Sequence, residues 1–387
     1  MNAPLPDLAF PLAVVAKATL LLAAAALAAL VLSRRRAPAA ARHLVWTLAV
    51  CGLLALPLFS VTLPGWRLAF VRLQPERWTA APFAAPAAVP GALPAAAPAV
   101  SALPRGGRPD VGTTPSPASP SLSGSGWTVD WGTAIPVIYL LGVLAVFARV
   151  LAGRWSVRRL AREASPVTGE EWTALLRDLV WMMDVDRPVT LLRGAGATMP
   201  MTWGTRRPTI LLPDDAAEWP EDRRRVVLLH ELAHVARHDC LTQTLAAAAC
   251  AFYWFHPGAW YAARRLRVER ELACDDRVLA AGTRAREYAA HLLEVARAFR
   301  PSPLAGAVAV SMARPSQLEG RLLAVLDHLR NRHALTRRAG LAAAAAALAL
   351  VLPLAAARPA GAAAETAASA RRPAAAAQAP RPSSGAV

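Results

Sequence analysis

Cysteine is scarce in this chain, and the few present are spaced wrongly for a metal site. The 387 residues contain four, Cys51, Cys240, Cys250 and Cys274. No two stand at Cys-x-x-Cys spacing, which argues against a cysteine-built zinc site. Cys274 reads as a small buried hydrophobe. Acids are also few, 26 against 43 basic residues, giving a formal charge of +17 carried almost wholly by arginine. Such a charge would suit a nucleic-acid binder. The arginines, however, cluster beside long apolar runs, as the positive-inside rule of membrane proteins requires, so no direct nucleic-acid binding is expected. Large apolar side chains are sparse in residues 75–126 and 358–387, which are rich in alanine and proline. Segments of this kind cannot bury a core and are expected to be disordered. Neither is expected to hold a folded sensor, and the tail has no Ser-x-x-Lys acylation motif.

Apolar residues are abundant: 55% of the chain, with a mean hydropathy of +0.32. Four segments, residues 10–32, 44–63, 133–150 and 339–357, approach the ~20 residues needed to cross ~30 Å of hydrocarbon. The fourth is mostly alanine and gives the weakest signal. Arg34-Arg35-Arg36 follow the first span, Arg154, Arg158, Arg159 and Arg162 the third, and Arg337-Arg338 precede the fourth. These clusters give one topology. Residues 1–63 hold two spans, 64–132 an extracytoplasmic loop, 133–151 the third span, 152–338 a cytoplasmic domain, 339–357 the fourth span and 358–387 an outer tail. Lys17, inside the first span, is expected to snorkel to the outer headgroups.

The chemistry concentrates in His230-Glu231-Leu232-Ala233-His234. On a helix, two histidines four apart stack one turn above the other on one face and can share a metal ion. Glu231 lies where it can accept a proton from attacking water. Together these make the two ligands and general base of a zinc-peptidase helix. Chance matches arise on the order of once in tens of thousands of positions. The helix is expected over residues 221–239. His238 extends the row but sits ~12 Å further along the axis, too far for Zn–N bonds of ~2 Å.

A third ligand is expected from a second helix, residues 261–279, where Glu271 can supply a carboxylate. Asp275, one turn on, could orient a ligand histidine. Glu269 is the rival ligand, but it points ~200° away from Glu271. Residues 241–263 are apolar enough to resemble a span. A crossing would put His230 and Glu271 on opposite sides of the bilayer, so a membrane-associated hairpin breaking at His256-Pro257-Gly258 is expected instead. Residues 189–193 and 209–212 suit short strands, and the second of these could pair with a substrate backbone.

In order along the chain, the spans, Trp203-Gly204, Arg207-Pro208, Leu212-Pro213, the His230–His234 motif with Arg237-His238-Asp239, Trp254-Phe255-His256-Pro257 and Glu269-Arg270-Glu271-Leu272-Ala273-Cys274-Asp275 resemble the BlaR/MecR antirepressor family of integral membrane zinc metallopeptidases. The resemblance covers roughly residues 10–335. More distantly, Glu271 with Asp275 is similar to the Glu-x-x-x-Asp element of membrane CAAX-processing proteases. The resemblance implies a mainly α multi-span protein with a gluzincin-like cytoplasmic domain containing a small β-sheet. It also implies zinc as cofactor, a bacterial inner-membrane location, and cleavage of the protein itself or a winged-helix repressor after an outside stimulus. Members that are antibiotic receptors carry a penicillin-binding sensor after the last span. Only about 30 low-complexity residues follow here, so the outer loop or a separate partner protein is expected to sense. Two alternatives stay open: a membrane-protein processing or quality-control protease, and an inactive-scaffold adaptor. Glu231 speaks against the adaptor.

Overall fold

The computed structural model describes residues 9–64, 130–194, 199–297, 310–311 and 315–357. The segments expected to be disordered, 75–126 and 358–387, lie outside these. Helices α1 (Ala9–Arg34), α2 (Ala39–Thr62) and α3 (Trp131–Glu163) are followed by strand β1 (Ser165–Pro166), α4 (Glu170–Met182), β2 (Thr190–Arg193), β3 (Met201–Trp203) and β4 (Thr209–Leu212). A 3₁₀ turn then leads into α5 (Glu221–Ala236), α6 (Asp239–Phe252), α7 (Pro257–Ala280), α8 (Ala285–Arg297), β5 (Val310–Ser311), α9 (Pro315–Leu326) and α10 (Arg337–Ala356). The protein is mainly α, with a small mixed sheet. Helices α1, α2, α3 and α10 are long and apolar enough to cross a membrane.

Two apolar cores organise the described residues. One joins α1, α2, α6, the first half of α7 and α10, through residues such as Leu21, Trp46, Leu53, Tyr253 and Leu266. The other packs the sheet on α4, α5, α8 and the second half of α7, through Ile210, Leu228, Leu232, Val278 and Leu292. Helix α7 belongs to both. From Val226 to Val235 every residue of α5 is buried, as expected of a helix enclosed on all sides. Glu221 and Asp222 in its first turn complement the helix dipole.

Helix α3 lies mostly exposed and reaches the bundle through α6. Trp254 Nε1 donates to the Tyr139 carbonyl at 3.2 Å, and Tyr139 donates to the Phe252 carbonyl at 3.0 Å. Gly142 permits the approach, since a Cβ there would sit 2.1 Å from Trp254 Cε2.

Several expectations need correction. The histidine helix ends at Ala236 rather than residue 239, because His238 adopts a left-handed conformation, φ 56°. His238 is therefore not on the helix at all. Strand β4 is not an edge: the sheet order is β1-β2-β4-β3-β5, so both its sides are paired and it cannot receive another strand. Lys17 does not point only to the outside. Its Nζ donates to the Ala355 carbonyl at 2.8 Å and to Ser60 Oγ at 3.4 Å, tying α1 to the ends of α10 and α2. Residues 241–263 comprise most of α6, the turn at residues 253–256 and the start of α7. The break falls at the expected place, where His256 caps α7 by accepting from the Gly258 backbone.

Candidate metal centre

Helix α5 presents His230 and His234 one turn apart, with ring centroids 4.9 Å from each other. Helix α7 crosses it and brings Glu271 Oε2 to 3.7 Å from His230 Nε2, too long for a hydrogen bond. One ligand atom from each of His230, His234 and Glu271 lies within 4.8 Å of the others. His230 Nε2, His234 Nε2, Glu271 Oε2 and Glu231 Oε1 are all buried without a hydrogen-bond partner among the described residues. Four convergent orphans are costly unless something fills the space between them. A cation satisfies three of them, and two imidazoles with one carboxylate is a donor set suited to zinc.

Each of these three candidate side chains is held from behind. His234 Nδ1 lies 2.8 Å from Asp239 Oδ2, and the left-handed turn at His238 is what swings Asp239 back to reach it. Asp239 is fully buried. Burial opposes its charge, but Arg237 and the contact with His234 outweigh this and hold its pKa well below the usual carboxylate range. An ionised Asp239 fixes the proton on Nδ1 and leaves Nε2 as the lone-pair nitrogen. Cys274 donates to the same oxygen at 3.3 Å and lies 3.2 Å from His234 Nδ1. His234, Asp239 and Cys274 also form a possible metal triplet, but these atoms already bond one another, whereas the His230–His234–Glu271 set is open.

His230 Nδ1 meets the Tyr288 hydroxyl at 2.9 Å and Asp275 Oδ1 at 3.3 Å. Tyr288 donates to Asp275, and Arg321 grips Asp275 with two bonds of 2.8 and 2.6 Å. Glu271 Oε1 accepts from Arg270 at 3.1 and 3.3 Å, leaving Oε2 between His230 Nε2 at 3.7 Å and Arg321 Nη1 at 3.4 Å. Burial alone would raise the Glu271 pKa, but His230, His234 and the two arginines bring it to about 2. Glu231 differs: burial dominates and raises its pKa, despite both histidines and Thr202 Oγ1, which donates to Oε2.

The structure thus brings together His230, Glu231, His234, Glu271 and Asp275. It sends Glu269 elsewhere, to Arg42 at 2.9 Å and Arg265 at 2.6 Å. Sequence reasoning missed Asp239, Tyr288, Thr202 and Arg321. Cys274 is buried as expected, with polar contacts that were not.

This arrangement is that of a metallopeptidase helix pair set among membrane-spanning helices. Residues 13–325 match the BlaR1 peptidase M56 family, and the chain belongs to it. It is similar to the regulatory protein BlaR1 of Bacillus licheniformis, 29% identical over 147 residues, which are 38% of this chain and 24% of that protein. It is also similar to the methicillin resistance mecR1 proteins of Staphylococcus aureus and Staphylococcus epidermidis, 28% identical over 92 residues, which are 24% of this chain and 16% of each. The chain therefore spans about a quarter or less of the curated relatives it matches. Its four apolar helices and its family make it a membrane protein.

Proposed function

We propose that the chain is an integral membrane zinc endopeptidase in signal transduction, cleaving itself, a cytoplasmic winged-helix transcriptional repressor, or both after an extracytoplasmic stimulus. The observation that carries this is the convergence of four buried atoms from His230, His234, Glu271 and Glu231 that make no hydrogen bond, of which Glu271 Oε2 also has an ion pair with Arg321 at 3.4 Å. His230, His234 and Glu271 would hold the zinc, which when bound supplies Lewis acidity to a scissile carbonyl and to water. Glu231 moves the proton. Its Oε2 is fixed by Thr202, its Oε1 is free to accept, and the upward shift of its pKa by burial favours a group that takes a proton and returns it to the leaving amine. Asp239, Tyr288 and Asp275 orient the imidazoles. The arginine clusters support a cytoplasmic site.

Self-cleavage has support of its own. Strand β5 pairs with β3, with Thr202 opposite Val310, so a segment of the same chain lies along the strand whose Thr202 holds Glu231. His230, Glu231 and His234 are fully buried, and access for another substrate requires this region to open.

The test is zinc content and cleavage in the purified full chain. About one zinc is expected in wild type, in Glu231→Gln and in Glu269→Gln, with loss in Glu271→Gln. Cleavage should disappear in Glu231→Gln. Wild-type protein that takes up little zinc even on reconstitution would overturn the reading.

A further inference from the structure

A cavity of about 520 Å³ lies between the start of α2, the ends of α4 and α5, the second half of α7 and the residues leading into α10. Its position is informative. Pro38, on its wall, lies two residues after the Arg34-Arg35-Arg36 turn, and Leu335 lies two residues before Arg337-Arg338 and α10. The cavity thus sits where two apolar helices begin, at the level expected of lipid headgroups on the arginine-rich side.

Three arginines line it: Arg237, Arg277 and Arg332. Arg237 is engaged with Asp239. Arg332 Nη2 donates to the carbonyls of Ala324, Val325 and Asp327, while its Nε is buried without a partner. Asp276 approaches that Nε only to 3.7 Å and is already gripped by Arg330 at 3.0 and 3.3 Å. Arg277 is the notable one. Its side chain makes no hydrogen bond or ion pair among the described residues, and its Nη1 is buried and unpartnered. Burial and the neighbouring Arg237 weigh against its charge, and Asp239 and Asp184, neither within ion-pair distance, only partly offset them. Asp184, on the exposed rim, is the other acid of the lining.

A half-buried guanidinium that makes no hydrogen bond or close ion pair is unfavourable, and its planar fork matches phosphate oxygens two at a time. Met182, Met183 and Leu335 supply apolar wall beside it, as a glycerol and acyl-chain stem would need. We propose that this cavity binds the phosphate of an anionic phospholipid, with Arg277 as its principal partner and Arg332 beside it. Basic pockets between membrane helices recognise headgroups in this manner. The site is independent of the peptidase reading, although Arg237 places it one side chain from Asp239.

The test uses the full chain in detergent, titrated with phosphatidylglycerol, phosphatidylcholine or inorganic phosphate and read by native mass spectrometry. One phosphatidylglycerol should be retained in preference to phosphatidylcholine. Arg277→Gln should weaken that retention about tenfold and leave phosphatidylcholine unchanged. Ala280→Trp, on the exposed rim, narrows the cavity without altering charge and should weaken it too. An unchanged thermal melting curve in both variants reports an intact fold, and Ala280→Trp carries the test if Arg277→Gln does not fold. Equal retention of the two lipids, or wild-type retention in a folded variant, would overturn the proposal. Binding of inorganic phosphate with no lipid preference would assign the cavity to a soluble phosphate and overturn the lipid.

Discussion

Asp239→Asn isolates the contribution of a carboxylate that supports the candidate metal centre from behind His234 and is not itself a proposed ligand. Asp239 Oδ2 accepts from His234 at 2.8 Å, from Cys274 at 3.3 Å and from Arg237 at 3.4 Å. Asparagine keeps the shape and can keep one acceptor there, but it removes the charge facing Arg237, whose side chain is only 13% exposed. Losing hydrogen bonds to a charged group costs about 1.5–3 kcal/mol. The imidazole of His234 also becomes a weaker donor to a metal, and loss of such an orienting partner lowers metal affinity about 10–100-fold. Asp239→Ala goes further. It leaves a buried guanidinium and an imidazole N–H without an acceptor, about 3–5 kcal/mol, a large share of the ~5–15 kcal/mol that holds a typical domain together. The assay is zinc competition against a fluorescent chelator, with thermal melting alongside. Wild-type zinc affinity and an unchanged Tm in Asp239→Asn would refute the claim that Asp239 sets the orientation of His234.

Glu269→Gln breaks a buried pair with Arg42, the partners being 1% and 10% exposed. It should cost about 3 kcal/mol in thermal or denaturant unfolding while leaving zinc per chain unchanged; loss of zinc would make Glu269 the ligand. Gly142→Ala places a methyl 2.1 Å from Trp254 Cε2 and should cost about 1–3 kcal/mol through forced separation of α3 from α6. An unaltered melting curve would show that the two helices do not pack as described. His238→Gly removes a left-handed non-glycine residue, φ 56°, and should stabilise by about 1 kcal/mol. Zinc content should stay the same, and a fall would contradict the exclusion of His238 from the metal site.

What could be read from the sequence was local. The four spans follow from runs of apolar residues, and the placement of His230 and His234 on one face follows from their separation by about one helical turn. Glu271 and Glu269 were separable because two residues on a helix differ by about 200°, and the structure places them on different partners. The break between α6 and α7 announced itself in His256-Pro257-Gly258. The supporting contacts were not readable, because they join residues far apart. Tyr288 is 58 positions from His230, and Arg321 is 46 from Asp275. Tyr288 recurs with Leu292 and Val295, all buried, so by pattern it is only a core aromatic. The end of α5 carries neither glycine nor proline, so nothing in Arg237-His238-Asp239 signals a left-handed turn. Strand β3 is three residues long, too short for an alternating pattern. The interior position of β4 depends on which strands flank it, a tertiary property that a run of Thr209-Ile210-Leu211-Leu212 does not encode.

The division into spans and a soluble catalytic domain, natural in one dimension, does not match how the chain is held together. Helix α7 buries Ala259, Ala262 and Leu266 against α1 and α2, then Cys274 and Val278 against the sheet domain. Glu271 sits where one core gives way to the other. Two adjacent residues at the start of α2 reach the acids on either side: Arg42 binds Glu269, two residues from Glu271, and His43 Nε2 lies 3.9 Å from Asp239, which holds His234. Cutting the chain between span and domain would remove the apolar partners of half of α7 and strand Glu269 as a buried, half-paired carboxylate. The geometry at Glu271 therefore depends on the membrane helices as much as on the sheet. Any shift of α2 against α7 must disturb an acid beside each of the two helices that carry the metal-centre residues.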